Sequence, residues 1–257
     1  MPVRLVSTRG GPAVDLPAAI LAGLAPDGGL YVPEEWPRLD PADLDAGSGF
    51  TAVATAVLGL FTSDLLPAAR LEQVVGEAFA RFDHPEVAPL VELDQDLYLM
   101  ELFWGPTLAF KDFALQVLGR LVDVALGVRG GNAMILGATS GDTGSAAMEA
   151  FRDRERVDVV ILYPEGRTTE VQRRQMTTIG APNVHAVAVE GTFDDCQDLV
   201  KAVFADPRTR DDLSLSTANS INFGRLITQV AYYYWAGGRG GGGRGGGGGG
   251  GAGGGGG

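Results

Sequence analysis

Apolar residues recur at helical spacing through the first eighty residues, with glycine- and proline-containing turns between the repeats. This pattern predicts a turn at residues 26–29 that leads into a short strand at 30–33. It also predicts three helices, over residues 16–24, 51–61 and 71–82. We therefore predict a small, mainly helical amino-terminal domain over residues 1–80. Nothing in this part of the sequence suggests catalytic residues.

From about residue 91 the pattern changes to short apolar runs that alternate with helical repeats. The apolar runs predict buried strands at residues 133–138, 157–163 and 184–189. Helices are predicted over residues 113–127, from about residue 145, and over 168–179 and 193–204. This order is typical of an α/β fold, with a parallel sheet covered by helices on both faces, and we assign it to residues 81–236. Ligands in such sheets lie beyond the carboxyl ends of the strands.

The last twenty-one residues, 237–257, contain eighteen glycines, interrupted only by Arg239, Arg244 and Ala252. A segment of this composition has no side chains with which to bury surface, so it predicts a disordered tail. An RNA-binding tail of the arginine-glycine type is an alternative. Two arginines without any aromatic residue support it only weakly.

Composition and charge exclude several classes of function. The 257 residues carry a net charge of −12, which argues against nucleic acid or an anionic membrane surface as the main partner. No apolar run is long enough to span a bilayer and no signal-like segment opens the chain, so a cytoplasmic location is predicted. One cysteine and two histidines leave little material for a disulfide framework, a metal centre or a Ser-His-Asp triad.

Lys111 is the first candidate for chemistry, because the chain contains only two lysines against eighteen arginines. A lysine partly withdrawn from water has a lowered pKa and can act as a nucleophile or move protons, whereas an arginine stays charged. Lys111 follows the turn at residues 105–107 and precedes the apolar helix, a suitable place for a carbonyl cofactor. The structural alternative is a lysine whose stem covers Leu108 and Phe110 while its ammonium meets Asp112 or water.

Two polar segments at helix starts are candidates for binding anions. The turn after the strand at 133–138 includes Ser140, Gly141, Asp142 and Thr143, and hydroxyl and backbone N–H groups there suit a carboxylate or phosphate. The segment 217–225 opens a helix predicted to end at Trp235 and supplies the candidates Ser220, Asn222 and Arg225. Ordinary helix capping is the alternative in both places. A cation one turn into a helix gains little from the helix dipole, so Arg225 favours an anionic ligand.

Four stretches, residues 101–113, 138–147, 191–201 and 218–234, resemble the threonine synthase family. The resemblance covers residues 1–236 and is most specific in Gly-Pro-Thr-Leu-Ala-Phe-Lys-Asp at 105–112 and Thr-Ser-Gly-Asp-Thr-Gly at 139–144. It implies the tryptophan-synthase-β fold (fold type II), the cofactor pyridoxal 5′-phosphate, and conversion of the small-molecule substrate O-phospho-L-homoserine and water to L-threonine and phosphate.

The resemblance also implies roles for the candidate residues. Lys111 would carry the cofactor and move the substrate's α- and β-protons. Ser140, Gly141, Asp142 and Thr143 would contact the cofactor, and Ser140 and Thr143 would also hold the substrate carboxylate. Ser220, Asn222 and Arg225 would meet the substrate phosphate, whose charge must be stabilised as it leaves.

The sequence departs from the family pattern in two places. Trp104 stands where the family commonly has histidine, which removes an imidazole from that position. After Trp235 the family continues with the rest of the sheet and a Gly-Asn-Phe-Gly loop for the cofactor phosphate, so the carboxy-terminal part of the fold is predicted to be missing. An inactive truncated fragment is therefore one alternative. A related lyase such as threonine dehydratase is another, and the oligomeric state stays open.

Overall fold

The computed structural model describes residues 2–40, 44, 47–216 and 221–240. The described helices are α1 (Leu16–Ala22), α2 (Phe50–Thr62), α3 (Ala68–Phe79), α4 (Lys111–Arg129), α5 (Asp142–Phe151), α6 (Glu170–Thr177), α7 (Phe193–Ala205), α8 (Pro207–Asp212) and α9 (Phe223–Gly240). The described strands are β1 (Leu5–Ser7), β2 (Tyr31–Pro33), β3 (Leu90–Asp94), β4 (Leu97–Met100), β5 (Ala133–Ala138), β6 (Val157–Pro164), β7 (Val184–Val189) and β8 (Leu215–Ser216).

Four strands form a parallel sheet in the order β7-β6-β5-β8. The register joins Ala133 to Val157 and Val159 to Val184, so the carboxyl ends of the three long strands lie along one edge. The chain moves outward from β5 to β7 and then returns to place β8 beside β5. Because such connections are right-handed, this reversal puts α7 on the opposite face of the sheet from α5. The reversal also creates a crevice at the carboxyl end of β5, where ligands bind in sheets of this kind.

Helix α4 lies at the centre of the molecule, and nearly every residue of its first three turns is buried. It contacts α1, α3, α5 and α9. Phe113 on α4 packs edge-on against Phe50 of α2, with ring centroids 5.6 Å apart, and Phe50 contacts Trp235 of α9 at 5.9 Å. One hydrophobic core therefore joins the amino-terminal helices to the sheet. The division of the chain at residue 80 stays a prediction.

Helix α9 is tied to distant parts of the chain at both ends. The Asn222 amide Nδ2 donates to the Ile20 carbonyl at 2.8 Å, and the Trp235 indole Nε1 donates to the Ala88 carbonyl at 2.8 Å. The helix continues to Gly240, five residues beyond the predicted end at Trp235. The predicted disordered tail and its possible RNA contacts fall mainly on residues 241–257, which lie outside the described residues.

Two features of the fold differ from the sequence pattern. The antiparallel hairpin of β3 and β4 is exposed on both faces, and its apolar residues gave no clear alternation. Helix α5 begins at Asp142, three residues before the predicted start near Ser145. Among the helices that the structure describes, none is long and apolar enough to cross a bilayer.

Candidate active site

A cavity of ≈ 410 Å³ opens at the carboxyl end of β5, in the crevice created by the reversal of strand order. The starts of α4 and α5, the second and third turns of α7 and the first turn of α9 surround it. Its lining residues are Lys111, Ile135, Leu136, Gly137, Ala138, Thr143, Gly144, Ala147, Ile161, Gln197, Val200, Lys201 and Arg225. Of the predicted site residues, Lys111, Thr143 and Arg225 therefore meet at one place.

Lys111 is the first residue of α4, and its side chain is 18% exposed. Its Nζ donates to Asp142 Oδ2 at 2.6 Å, across the gap between the starts of α4 and α5. The ammonium also lies 5.2 Å from the centroid of the Phe110 ring. The structural alternative placed the ammonium at Asp112 or in water, whereas the ammonium binds the Asp142 carboxylate.

The turn before Lys111 is held by Asp112, which is completely buried. Its carboxylate accepts hydrogen bonds from the Thr107 backbone N–H at 2.8 Å and from the Thr107 hydroxyl at 2.7 Å. Burial raises the pKa of Asp112, and the Thr107 hydrogen bonds oppose that shift. Gly105 packs so closely on this carboxylate that an added Cβ would lie 2.5 Å from Asp112 Oδ2. The turn therefore fixes the direction in which Lys111 leaves the backbone.

The loop between β5 and α5 is organised by the buried Thr139 hydroxyl. Its Oγ1 accepts from the backbone N–H groups of Gly141 at 3.0 Å and Gly144 at 2.9 Å. A Cβ at Gly144 would come within 2.5 Å of Thr139 Cγ2, so only glycine fits there without movement. This close packing brings the amino terminus of α5 to the cavity wall, where a helix favours anions.

The four predicted residues of this loop are placed differently. Thr143 lines the cavity, whereas the Asp142 carboxylate binds Lys111 and also borders a second, more open groove. Gly141 is buried beneath the Gln172 side chain of α6. Ser140 is exposed and is not among the residues that line the cavity.

Arg225 is the most unusual residue of the site, because its side chain is buried while two of its nitrogens have no hydrogen-bond acceptor among the described residues. The residue is 2% exposed, and no described residue accepts a hydrogen bond from its Nε or Nη1. Burial lowers the pKa of this guanidinium, while the nearby Tyr232 raises it by less. A buried guanidinium normally has hydrogen-bonding partners, since unsatisfied donors are costly. Arg225 lines the cavity, and a guanidinium is suited to bind an anion there.

Asn222 and Trp104 are described by the structure and do not line the cavity. Asn222 is buried, and its amide is used by the fold: Oδ1 accepts from the Gly224 N–H at 2.9 Å while Nδ2 donates to Ile20. Ser220 lies outside the described residues. The Trp104 indole donates to Glu101 Oε2 at 2.8 Å and packs against His84, away from the cavity lining.

Sequence reasoning missed three cavity residues on α7, of which Gln197 and Lys201 are polar and Val200 is apolar. Lys201 is the second of the chain's two lysines. The scarcity that drew attention to Lys111 applied equally to it. In the part of the chain that the structure describes, no three His, Cys, Asp or Glu side chains are placed to hold a metal ion.

Comparisons with known proteins identify relatives of the chain. A family model described as "Threonine synthase N terminus" matches residues 4–79. A threonine synthase from Pseudomonas aeruginosa is 48% identical over 233 residues, which cover 90% of this chain and 50% of that protein. The crystal structure of a PLP-bound threonine synthase from Brucella melitensis superposes with a TM-score of 0.89 at 51% identity, and the match covers 92% of this chain and 52% of that one.

The chain is related to the threonine synthases. The structure of yeast threonine synthase also superposes, with a TM-score of 0.85 at 38% identity over 92% of this chain and 50% of that one. The predicted family resemblance and fold class are confirmed. The chain spans about half the length of the curated relatives it matches.

Proposed function

We propose that this chain binds pyridoxal 5′-phosphate at Lys111 and takes part in the threonine synthase reaction, in which O-phospho-L-homoserine and water give L-threonine and phosphate. One observation carries the proposal. An amine and a buried guanidinium without a described acceptor for two of its nitrogens line the same cavity. A cytoplasmic location stays a prediction.

The residues present fit the cofactor. Lys111 offers a primary amine on a rigid turn, and Thr143 and the start of α5 offer hydrogen-bond donors beside it. The apolar lining residues Ile135, Leu136 and Ile161 suit the flat face of an aromatic ring. When bound, the cofactor supplies an aldehyde for a covalent bond to an amine and a ring that stores the electrons of a carbanion.

Lys111 has a second role once its amine is free. It lies among apolar atoms with one carboxylate partner, so it can take protons from the substrate's α- and β-carbons and return protons to the γ- and α-carbons. Asp142 holds the amine of Lys111, which lines the cavity, by the 2.6 Å contact. This orientation keeps the amine within reach of a substrate in the cavity.

Arg225 is proposed to bind the departing phosphate. Its planar guanidinium can give two parallel hydrogen bonds to phosphate oxygens, and burial strengthens such contacts. Charge grows on the phosphate oxygens as the carbon–oxygen bond breaks, so a fixed cation there favours the leaving step. Thr143 and the amino terminus of α5 are proposed to bind the substrate carboxylate.

The test is an assay of threonine and phosphate formed from O-phospho-L-homoserine with added cofactor. Because the chain matches about half of its relatives, the assay is run on the chain alone and with the separately expressed remaining half of the P. aeruginosa protein. We expect equimolar threonine and phosphate in the combined sample, and none after Lys111→Ala. Formation of 2-oxobutanoate and ammonia from threonine, or unchanged turnover by Lys111→Ala, would contradict the proposal.

A further inference from the structure

The cavity has more cationic side chains than the proposed function uses. Three cations, Lys111, Lys201 and Arg225, line it, and its described lining includes no aspartate or glutamate. Lys111 and Lys201 each pair with an aspartate outside that lining, Asp142 and Asp198. The whole protein has a net charge of −12, and both of its lysines are at this one site. Clefts lined by one sign of charge attract ligands of the other sign. The proposed function gives Lys111 to the cofactor and Arg225 to the substrate phosphate. It gives no role to Lys201.

Lys201 differs from Arg225 in its freedom to move. Its side chain is 71% exposed, and Nζ is 2.9 Å from Asp198 Oδ1, three residues earlier on α7. An ion pair this exposed contributes little to stability, because water screens both charges. Lys201 can therefore leave Asp198 for a ligand at small cost, whereas Arg225 is held in place by burial.

Helix α7 is positioned firmly enough to give Lys201 a defined place. Its start is fixed by a capping box, in which the Thr192 hydroxyl accepts from the Asp195 N–H and the Asp195 carboxylate accepts from the Thr192 N–H. Cys196 is fully buried, and α7 packs on β5 and β6. Gln197 and Val200 line the cavity on the same side of the helix as Lys201. The helix thus holds a flexible cation at the cavity rim.

We propose that Lys201 is a second phosphate-binding cation, which exchanges Asp198 for a phosphate monoester held by Arg225. A phosphate monoester carries nearly two negative charges at neutral pH. One buried arginine neutralises only part of that charge, and a lysine at the rim supplies the rest. That this phosphate belongs to the substrate rests on the proposed function. That a dianion binds between Arg225 and Lys201 does not depend on the proposed function.

The phosphate monoester has two sources, the amino-acid substrate and the cofactor, and they are distinguished by loading. Inorganic phosphate is titrated into the cofactor-free protein and into protein on which the cofactor has been fixed with borohydride. Binding that persists after loading, with cofactor affinity unchanged by Lys201→Met, assigns Lys201 to the substrate's phosphate. If loading abolishes phosphate binding, and Lys201→Met weakens the binding of pyridoxal phosphate but not of pyridoxal, Lys201 binds the phosphate of the cofactor. Either result supports the two-cation site.

The deciding experiment measures the Kd of inorganic phosphate by calorimetry at low salt for four variants. Lys201→Met should weaken binding about tenfold, as expected for one charged hydrogen bond. Lys201→Arg should stay within about threefold of wild type, and Asp198→Asn should bind more tightly, because Lys201 is released. Arg208→Met is the matched control, since Arg208 is an exposed cation on the neighbouring helix and pairs with Asp212.

Three results would overturn the inference. These are a wild-type protein that does not bind phosphate, a Lys201→Met protein that binds it normally, and equal weakening by Lys201→Met and Arg208→Met. Failure of the proposed function has a different signature. In that case no cofactor is trapped at Lys111, while the phosphate affinities of the variants still differ as stated.

Discussion

At the scale of single residues, Arg225 shows how a binding role is recognised without a bound ligand. A buried cation that serves only the fold is expected to have partners, as Arg120 does: its guanidinium donates to the Gln116 carbonyl at 2.8 Å and to the Glu77 carbonyl at 3.0 Å. Arg225 is buried too, and no described residue accepts from its Nε or Nη1, whereas Arg120 lacks an acceptor only at its Nε. The fold therefore bears a cost at Arg225 that a ligand would repay.

Replacing Arg225 by methionine should separate stability from binding. The apolar side chain fills a similar volume and removes the unsatisfied donors, so we expect the free energy of unfolding to rise by about 1–3 kcal/mol. The affinity for inorganic phosphate should fall in the same variant. Urea denaturation and calorimetry measure the two quantities.

Arg120→Met is the control, since it removes the Nη1 and Nη2 donors, which have partners, and should lower stability instead. Burial lowers the pKa of Arg120 to about 10, so this cation too has been withdrawn from water, and the comparison is between like environments. If Arg225→Met lost stability as Arg120→Met does, Arg225 would be a structural residue.

Asp112 gives a prediction about pH. Burial raises its pKa above the ordinary value of 3.8. Folding therefore favours the protonated carboxyl, and this stabilisation is complete below the unfolded pKa and is lost as pH rises through the folded pKa. The stability of wild type minus that of Asp112→Asn should fall over this window, by at most about 1.4 kcal/mol per pH unit. Parallel stability curves for the two proteins from acid to neutral pH would contradict the assignment.

At the scale of elements, the loop before α5 is built from close packing around glycines. Gly144 must approach Thr139 and Ile161 to bring the amino terminus of α5 to the cavity. A Cβ there would lie 2.8 Å from Ile161 Cγ2 on β6, which is held in the sheet and cannot withdraw easily. The position of the helix start thus depends on the absence of one side chain.

Gly144→Ala should lower the free energy of unfolding by about 1–3 kcal/mol, because the added methyl overpacks a buried contact. Gly76→Ala is the matched control. Gly76 lies inside α3 and an added Cβ would meet nothing within 4 Å, so alanine should stabilise the helix by about 0.5–1 kcal/mol. Thermal unfolding of both variants measures the difference. The same sign of effect at both glycines would show that the loop has room.

The sequence predicted elements well where periodicity is strong. The strands β5, β6 and β7 and the helix α7 lie within a residue or so of their predicted bounds. The helix start at Asp142 was placed late, since glycines and hydroxyl residues there favour a turn by composition. The β3–β4 hairpin was missed because its apolar residues point to both faces.

The candidate site was predicted in part, for physical reasons that differ by residue. Lys111 stood out by its rarity, and Arg225 by its position near a helix start. Asn222 lies in the same polar segment as Arg225 and was predicted for the same reason. Its amide instead holds α9 against α1, which only the tertiary contacts reveal. Lys201 is distant in sequence from the other candidates, so the sequence offered no spacing that joined it to them.

At the scale of the whole molecule, the aromatic cluster joins parts of the chain that the sequence predicted as separate domains. Phe50 contacts Phe79, Phe113 and Trp235, with centroid distances of 5.0, 5.6 and 5.9 Å. These residues belong to α2, α3, α4 and α9. The helix that begins with Lys111 therefore rests on the amino-terminal helices as well as on the sheet.

We expect Phe50→Ala to lower the free energy of unfolding by about 3–5 kcal/mol. The midpoint should move equally whether unfolding is followed by tryptophan fluorescence or by far-ultraviolet circular dichroism, because one core is weakened. Trp36, which is exposed and lies outside the cluster, offers a control: Trp36→Phe should leave the midpoint unchanged. Two separated transitions in the Phe50→Ala protein would instead favour independent domains divided near residue 80.

The central claim is that Lys111 is the residue to which the cofactor binds, and reductive trapping tests it most directly. The purified protein is mixed with pyridoxal phosphate, reduced with borohydride, digested and mapped by mass spectrometry. Only two lysines are present, so the site is unambiguous. We predict a pyridoxyl group on Lys111 in the wild type and in Lys201→Met, and none in Lys111→Ala. A pyridoxyl group on Lys201 alone, or equal labelling of both lysines, would contradict the account.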